Sequence, residues 1–183
     1  MDTIARFVEG VVEGRDPDLA GHLDRLGEAA NEFSSRLGLS REESELLEMG
    51  ARLHDIGKLS ISESILNKPG RLTATEFSLV KQHAAIGFLL LTPLDLDPRI
   101  NEIVHFHHEN FDGTGYPQGL SGDGIPLLAR VVRILDTFDA VTDDRPYKKG
   151  ASKAQALQIL QSEARLYDPE LLNAFVELRT AGT

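Results

Sequence analysis

Residues 41–58 read REESELLEMGARLHDIGK, and their pattern decides the fold class. Ser40, with Glu43 three positions on, is the signature of a helix start in which each side chain bonds the other residue's backbone N–H. Behind it Leu46, Leu47, Met49, Ala51 and Leu53 recur at helical spacing. The helix closes on His54-Asp55, after which Ile56-Gly57-Lys58 turns the chain away. An imidazole and a carboxylate side by side can face one point because the helix ends there, and a carboxylate has two oxygens with which to bridge two cations.

The same kind of start signal recurs along the chain at Asp16-Pro17, Thr73 to Glu76, Asp97-Pro98, Ser152 to Gln155 and Asp168-Pro169. Apolar spacing between them, as in Leu127, Leu128, Val131, Val132 and Leu135, predicts helices near 3–13, 17–36, 41–54, 74–90, 98–108, 127–143, 153–165 and 169–179, with a short turn over 63–66. Two-residue alternation of the strand type is missing. The expected fold class is therefore all-α, a single-domain helical bundle over 1–183, in which the N-terminal helix within 1–15 serves as a linker or a dimer contact. Two segments break the pattern. Residues 58–72 contain Lys68-Pro69-Gly70 and read as a turn-rich connection. Residues 109–126 hold five glycines, Gly113, Gly115, Gly119, Gly122 and Gly124, and a loop so rich in glycine between well-capped helices is read as functional.

With 41% hydrophobic and 26% charged residues, the chain of 183 sits in the ordinary globular range. The apolar runs near 88–91 and 127–135 are far below the roughly 20 residues of a membrane span. The first ten residues lack the basic start and apolar core of an export signal, so the expected location is the cytoplasm, without membrane insertion. Cysteine is absent, which leaves histidine, carboxylate and backbone oxygen as metal ligands. The net charge of −10 argues against a DNA or RNA polymer as partner, whereas a small anion can bind if cations reverse the local field.

Six histidines fall at positions 22, 54, 83, 105, 107 and 108. His22, His54, His83, His107 and His108, together with Asp55 and Asp136, lie in predicted helices or at their ends. Seven such ligands exceed what one ion needs, which points to a site for at least two. Five nitrogens with bridging carboxylates suit iron or manganese, with zinc, nickel and cobalt tolerated. Two cations can polarise a phosphoryl group, acidify a water and stabilise the leaving oxygen, which is the chemistry of phosphodiester hydrolysis.

His54-Asp55-Ile56-Gly57-Lys58, His107-His108-Glu109, Asp112-Gly113-Thr114-Gly115-Tyr116-Pro117, Asp136 to Ala140 and Arg145-Pro146-Tyr147 together resemble the HD-GYP family, a branch of the HD-domain phosphohydrolases. The resemblance runs over about 16–175. It implies a helical bundle of the HD-domain type with the Gly-rich loop over a centre of two or three divalent metal ions, and hydrolysis of cyclic di-GMP to linear pGpG or GMP. By resemblance the seven residues above take the metal positions. Lys58 would face the scissile phosphate or its water, and Tyr116, Arg145 and Lys148 would contact the dinucleotide. Three-metal members carry a glutamate four residues before the first histidine, where this chain has Asp18. That shorter carboxylate leaves the number of ions open, and with it the cutting of the second bond.

Other residues were weighed against plainer roles. His105 is read as a partly buried helix histidine outside the site, Asp139, one turn after Asp136, as an ordinary helix carboxylate in preference to a partner of a ligand, and Asp143-Asp144 as a solvated helix end. Glu109 either orients a ligand histidine or is a solvated charge. Asp112 and its glycines are read as a substrate-facing loop, and Arg130 and Arg133 either line the site or pair with surface carboxylates. Two alternatives stand beside cyclic di-GMP hydrolysis. One keeps the chemistry and changes the substrate to another cyclic dinucleotide, such as cyclic GMP-AMP, or a nucleotide. The other is a regulatory module that binds a partner protein through the Gly-rich loop. A homodimer is an expectation from the position of the N-terminal helix, and a sensory domain ahead of this one is an expectation from the family.

Overall fold

In the computed structural model, which describes residues 2–143 and 149–181, all six start signals begin helices. The order is α1 (Asp2–Arg15), α2 (Pro17–Leu37), α3 (Arg41–Leu53), α4 (Glu63–Leu66), α5 (Ala74–Lys81), α6 (His83–Leu91), α7 (Pro98–Phe106), α8 (Leu127–Thr142), α9 (Lys153–Ser162) and α10 (Pro169–Thr180). Reciprocal capping boxes open α3 at Ser40 and Glu43, α5 at Thr73 and Glu76, and α9 at Ser152 and Gln155. Aspartates cap the helices that begin with proline: Asp16 accepts from the Leu19 N–H at 3.0 Å, and Asp168 from those of Glu170 and Leu171. Each such cap is worth about 1 kcal/mol. Among the described residues no strand forms, and the single β-bridge, Asp112 to Ser121, closes the Gly-rich loop on itself.

One core runs through the bundle. Leu23, Leu26 and Phe33 of α2, Leu47 and Leu53 of α3, Ile100 and Ile103 of α7, Ile134 and Leu135 of α8 and Phe175 of α10 are fully or almost fully buried. Side chains of this size contribute roughly 1.5–3 kcal/mol each when fully buried. Phe175 fills the junction of α10 with α2 and α8, meeting Phe33 edge-on at 5.2 Å and Phe138 at 5.1 Å. Helix α1 buries Val8 and Val12 and packs on α2 and α3.

Two boundaries differ from the sequence reading. The helix expected over 74–90 is two, α5 and α6, because at Gln82 the backbone N–H turns to the Leu79 carbonyl and His83 Nδ1 takes the Val80 carbonyl. The helix expected to reach 165 ends at Ser162 and continues as a tighter turn over Ala164–Leu166. The stretch Ala74–Leu94 has the length and mean hydropathy, 1.3, of a membrane span, which a search for uninterrupted apolar runs passes over. Here it is broken at Gln82, and α6 packs against α7 and the turn at Ile56–Ser60, carrying His83 to the centre of the fold.

Candidate metal centre

Seven side chains on or beside five helices converge. His22 projects from α2, His54 ends α3, Asp55 opens the tight turn at Ile56–Ser60, His83 starts α6, His107 and His108 follow α7, and Asp136 lies on α8. Gly57 permits this convergence. A Cβ there would lie 2.0 Å from the His83 carbonyl oxygen, so only glycine lets the turn after Asp55 approach the start of α6.

The side chains form two groups, Asp55 with His83, His107 and His108, and His22 with His54 and Asp136, the candidate ligand atoms in each lying within 4.8 Å of one another. Asp55 faces both. Its Oδ1 is 3.1 Å from His83 Nε2 and 3.8 Å from His107 Nε2, while its Oδ2 is 3.3 Å from His54 Nε2 and 3.9 Å from His22 Nε2. The His22 Nε2 is also 3.4 Å from Asp136 Oδ1. His54, Asp55, His83 and His107 are at most 1% exposed.

Hydrogen bonding on the outer side of the rings fixes which nitrogen points inward. His54 Nδ1 donates to the Ala51 carbonyl, His83 Nδ1 to that of Val80 and His107 Nδ1 to that of Val104, at 2.7, 2.7 and 2.9 Å. With Nδ1 engaged by a carbonyl, each ring turns its Nε2 to the centre. Burial first, then the neighbouring imidazoles His54 and His83, hold His107 down at about 4 despite the Asp55 carboxylate, and burial with His107 holds His108 well below the ordinary value. The Nε2 atoms of His83 and His107 lie 3.2 Å apart, and His54 Nε2 and Asp55 Oδ1 are buried without a hydrogen-bond partner. Facing imidazole nitrogens and buried polar atoms without partners are what a cation satisfies, so the donor set fits divalent metal.

His22 differs. Burial would lower it, but Asp136, Asp139 and Asp55 outweigh that and raise it to about 9. Its Nδ1 is 2.7 Å from Asp139 Oδ2, and Arg25 holds the other Asp139 oxygen at 2.8 Å. Asp139 is therefore no ordinary helix carboxylate, as expected from sequence, but the group that orients His22. Its place one turn after Asp136 on the same face of α8 allows that role and does not by itself decide it.

The other expected residues divide. Lys58 Nζ pairs with Asp55 Oδ2. Tyr116 stacks on His108, ring centroids 4.8 Å apart, and burial with the Asp55 and Asp136 charges pushes its phenol up, keeping it protonated. Asp18 is exposed and belongs to neither group. Arg145 and Lys148 lie outside the described residues, as does Asp144. His105 stays out of the cluster, packed against Phe88 and Phe106. Asp143 is not simply solvated, since it pairs with Arg25 at 2.9 Å. Arg130 ties Asp123 to the α10 cap Asp168, and Arg133 donates to Asn110 and Thr137.

Glu109 has neither of the roles weighed for it. It is buried, and its carboxylate accepts the backbone N–H groups of Gln118, Gly119 and Leu120 at 2.7, 3.1 and 3.1 Å. Asp112 accepts from the Thr114 N–H and hydroxyl and pairs with Arg165, while Phe111 N–H donates to the Leu166 carbonyl. Gly115 lies so close to Asn110 that a Cβ would come within 2.3 Å of its backbone nitrogen. These contacts fold the Gly-rich loop back over His108.

The HD domain family matches residues 6–171. The chain belongs to that family. Its GYP loop, Asp112 to Pro117, is that of the HD-GYP branch. This HD domain is 39% identical over 181 residues to the cyclic di-GMP phosphodiesterase response regulator RpfG of Xanthomonas campestris, covering 97% of this chain and 48% of that protein. To the 3'3'-cGAMP-specific phosphodiesterase 3 of Vibrio cholerae it is 36% identical, covering 95% of this chain and 38% of that one. The chain thus spans about half or less of the length of these curated relatives. Among solved structures, Bd1817, a HDG"Y"P protein from Bdellovibrio bacteriovorus, superposes with a TM-score of 0.74 at 22% identity over 91% of this chain and 53% of that chain, which establishes the shared fold.

Proposed function

We propose that this HD domain is a metal-dependent phosphodiesterase that hydrolyses cyclic di-GMP to linear pGpG, to GMP, or to both. The observation that carries the reading is the placement of Asp55, one oxygen toward each group of histidines, as a bridge between two divalent ions would be placed. The relatives named for cyclic dinucleotide hydrolysis support the substrate class. Iron or manganese suits the nitrogen-rich donor set best. With Asp18 exposed and outside both groups, we assign two ions rather than three.

Bound there, two divalent cations would supply Lewis acidity toward a phosphoryl oxygen and acidify a water nucleophile. The chain's own groups do the rest. Backbone carbonyls hold His54, His83 and His107 with Nε2 inward, and Asp139 holds His22. Lys58, which pairs with Asp55, would meet the scissile phosphate or its water. Tyr116 on the GYP loop walls the His108 side, and Arg145 and Lys148, by their place after Asp136 in the family pattern, would meet phosphate. A cytoplasmic location, a homodimer made through α1 and a regulatory or sensory partner belong to this proposal too.

A second reading, 3'3'-cGAMP as substrate, is favoured by the Vibrio cholerae relative. A module that only bound a protein partner would not need seven converging donors, which favours the enzyme. The test is product analysis after anaerobic reconstitution with Mn²⁺ or Fe²⁺, offering cyclic di-GMP and 3'3'-cGAMP in parallel. Appearance of the linear dinucleotide from cyclic di-GMP supports the proposal. Faster cleavage of 3'3'-cGAMP transfers it to the second reading, and cleavage of neither by metal-loaded protein defeats both.

A further inference from the structure

Phe77 and Lys81 sit four residues apart at the end of α5 and so share one face of that helix. Lys81 Nζ lies 4.9 Å from the centroid of the Phe77 ring and 5.1 Å from that of Tyr116. Tyr116 in turn stacks on His108. The ammonium therefore stands one aromatic ring away from the imidazole cluster, where the GYP loop meets α5.

Among the described residues its charge is not matched by an acid. Among the described residues no carboxylate pairs with Lys81, whereas Lys58 is paired with Asp55, Arg25 with Asp139 and Arg130 with Asp168. Arg133, another cation that acts on Tyr116, donates to Asn110 and Thr137. In a chain of net charge −10, a half-buried ammonium with no acidic partner among the described residues, at the rim of the cluster, is placed to receive an anion. The two aromatic rings hold its flexible stem in position and partly shield it from water, which strengthens any pairing it makes.

We propose that Lys81 binds the phosphodiester of the dinucleotide that is not being cleaved. This rests on the phosphodiesterase reading above. A cyclic dinucleotide carries two phosphodiesters, and while the His/Asp cluster engages one, the other needs a cation at the rim. A compact ammonium serves phosphate as a point charge. Lys81 touches substrate rather than the reacting atoms, so its loss weakens binding and leaves the chemical step intact.

The experiment is steady-state kinetics of the metal-reconstituted chain with cyclic di-GMP and with bis(p-nitrophenyl) phosphate, which has one phosphodiester and no base. Lys81→Met should raise KM for cyclic di-GMP about tenfold, with kcat and bis(p-nitrophenyl) phosphate turnover within about twofold of wild type. Lys81→Arg should restore most of the loss. The wild-type KM should climb with ionic strength more steeply than that of Lys81→Met. Guanylyl-guanosine, with both bases and a single phosphodiester, should inhibit wild type and variant alike. An unchanged KM for cyclic di-GMP in folded Lys81→Met, or equal losses on both substrates, overturns the proposal. A matching loss of guanylyl-guanosine inhibition overturns it in favour of a base contact. Wild-type protein that cleaves bis(p-nitrophenyl) phosphate but no cyclic dinucleotide defeats the substrate reading, and this inference with it. Cleavage of both with a silent Lys81→Met defeats the inference alone.

Discussion

Asp139 Oδ2 lies 2.7 Å from His22 Nδ1, and Arg25 grips the other oxygen of the same carboxylate, so the histidine on α2 is aimed at the centre by a charge on α8. A carboxylate behind a ligand imidazole fixes its orientation and raises its basicity. Asp139→Asn should therefore weaken metal affinity of the His22 group by about 10–100-fold while leaving the fold intact. Competition titration against a chelating dye measures this, and wild-type affinity in a folded variant would contradict the assignment.

The same contacts predict proton release. With His22 raised to about 9, it is an imidazolium at pH 7, whereas a metal needs its Nε2 free. Metal binding should expel about one proton at pH 7, and affinity should rise about tenfold per pH unit up to about pH 9 and then level off. Calorimetry in buffers of different ionisation enthalpy counts the proton. Affinity independent of pH between 6 and 8 would show that His22 is already neutral in the metal-free state.

Glu109 is predicted to govern the loop rather than the metals. Its carboxylate accepts three backbone N–H groups on its two oxygens, and Glu109→Gln must turn an NH2 donor toward at least one of them. The expected cost is about 2–3 kcal/mol, or a Tm lower by roughly 4–12 °C. Amide exchange over 113–124 should quicken, and metal stoichiometry should hold. A Tm unchanged by the substitution would refute it.

At Gly57 the prediction concerns assembly of the site. A methyl group there meets the His83 carbonyl at 2.0 Å, backbone that cannot swing aside. Gly57→Ala should cost about 3 kcal/mol or more and separate the Asp55 turn from α6. Thermal unfolding with and without metal reads the result, since the variant should lose most of the metal-induced rise in Tm that wild type shows.

The helices were legible because their starts carry local chemistry: Ser40 with Glu43, or Asp168 before Pro169, bonds the backbone within three residues. The converging histidines were legible as a set, through their company at helix ends. What stayed hidden depends on partners distant in sequence or on loop conformation. The partner of Asp139 is 117 residues away, so spacing along α8 alone cannot separate it from a solvated carboxylate. Glu109 bonds amides nine to eleven residues on, whose directions exist only once the loop has folded. Lys81 gains meaning from Tyr116, which the loop delivers to it. The break at Gln82 comes from His83 turning to the Val80 carbonyl, a competition that helical periodicity does not register.

The most direct test is the metal content of anaerobically purified protein measured together with its turnover of cyclic di-GMP, for wild type and Asp55→Ala. The proposed role of Asp55 as a ligand between the two histidine groups predicts about two equivalents of divalent metal with turnover in wild type, and in the variant loss of metal and of turnover together. Turnover that survives in Asp55→Ala, or in metal-stripped wild type, would contradict it.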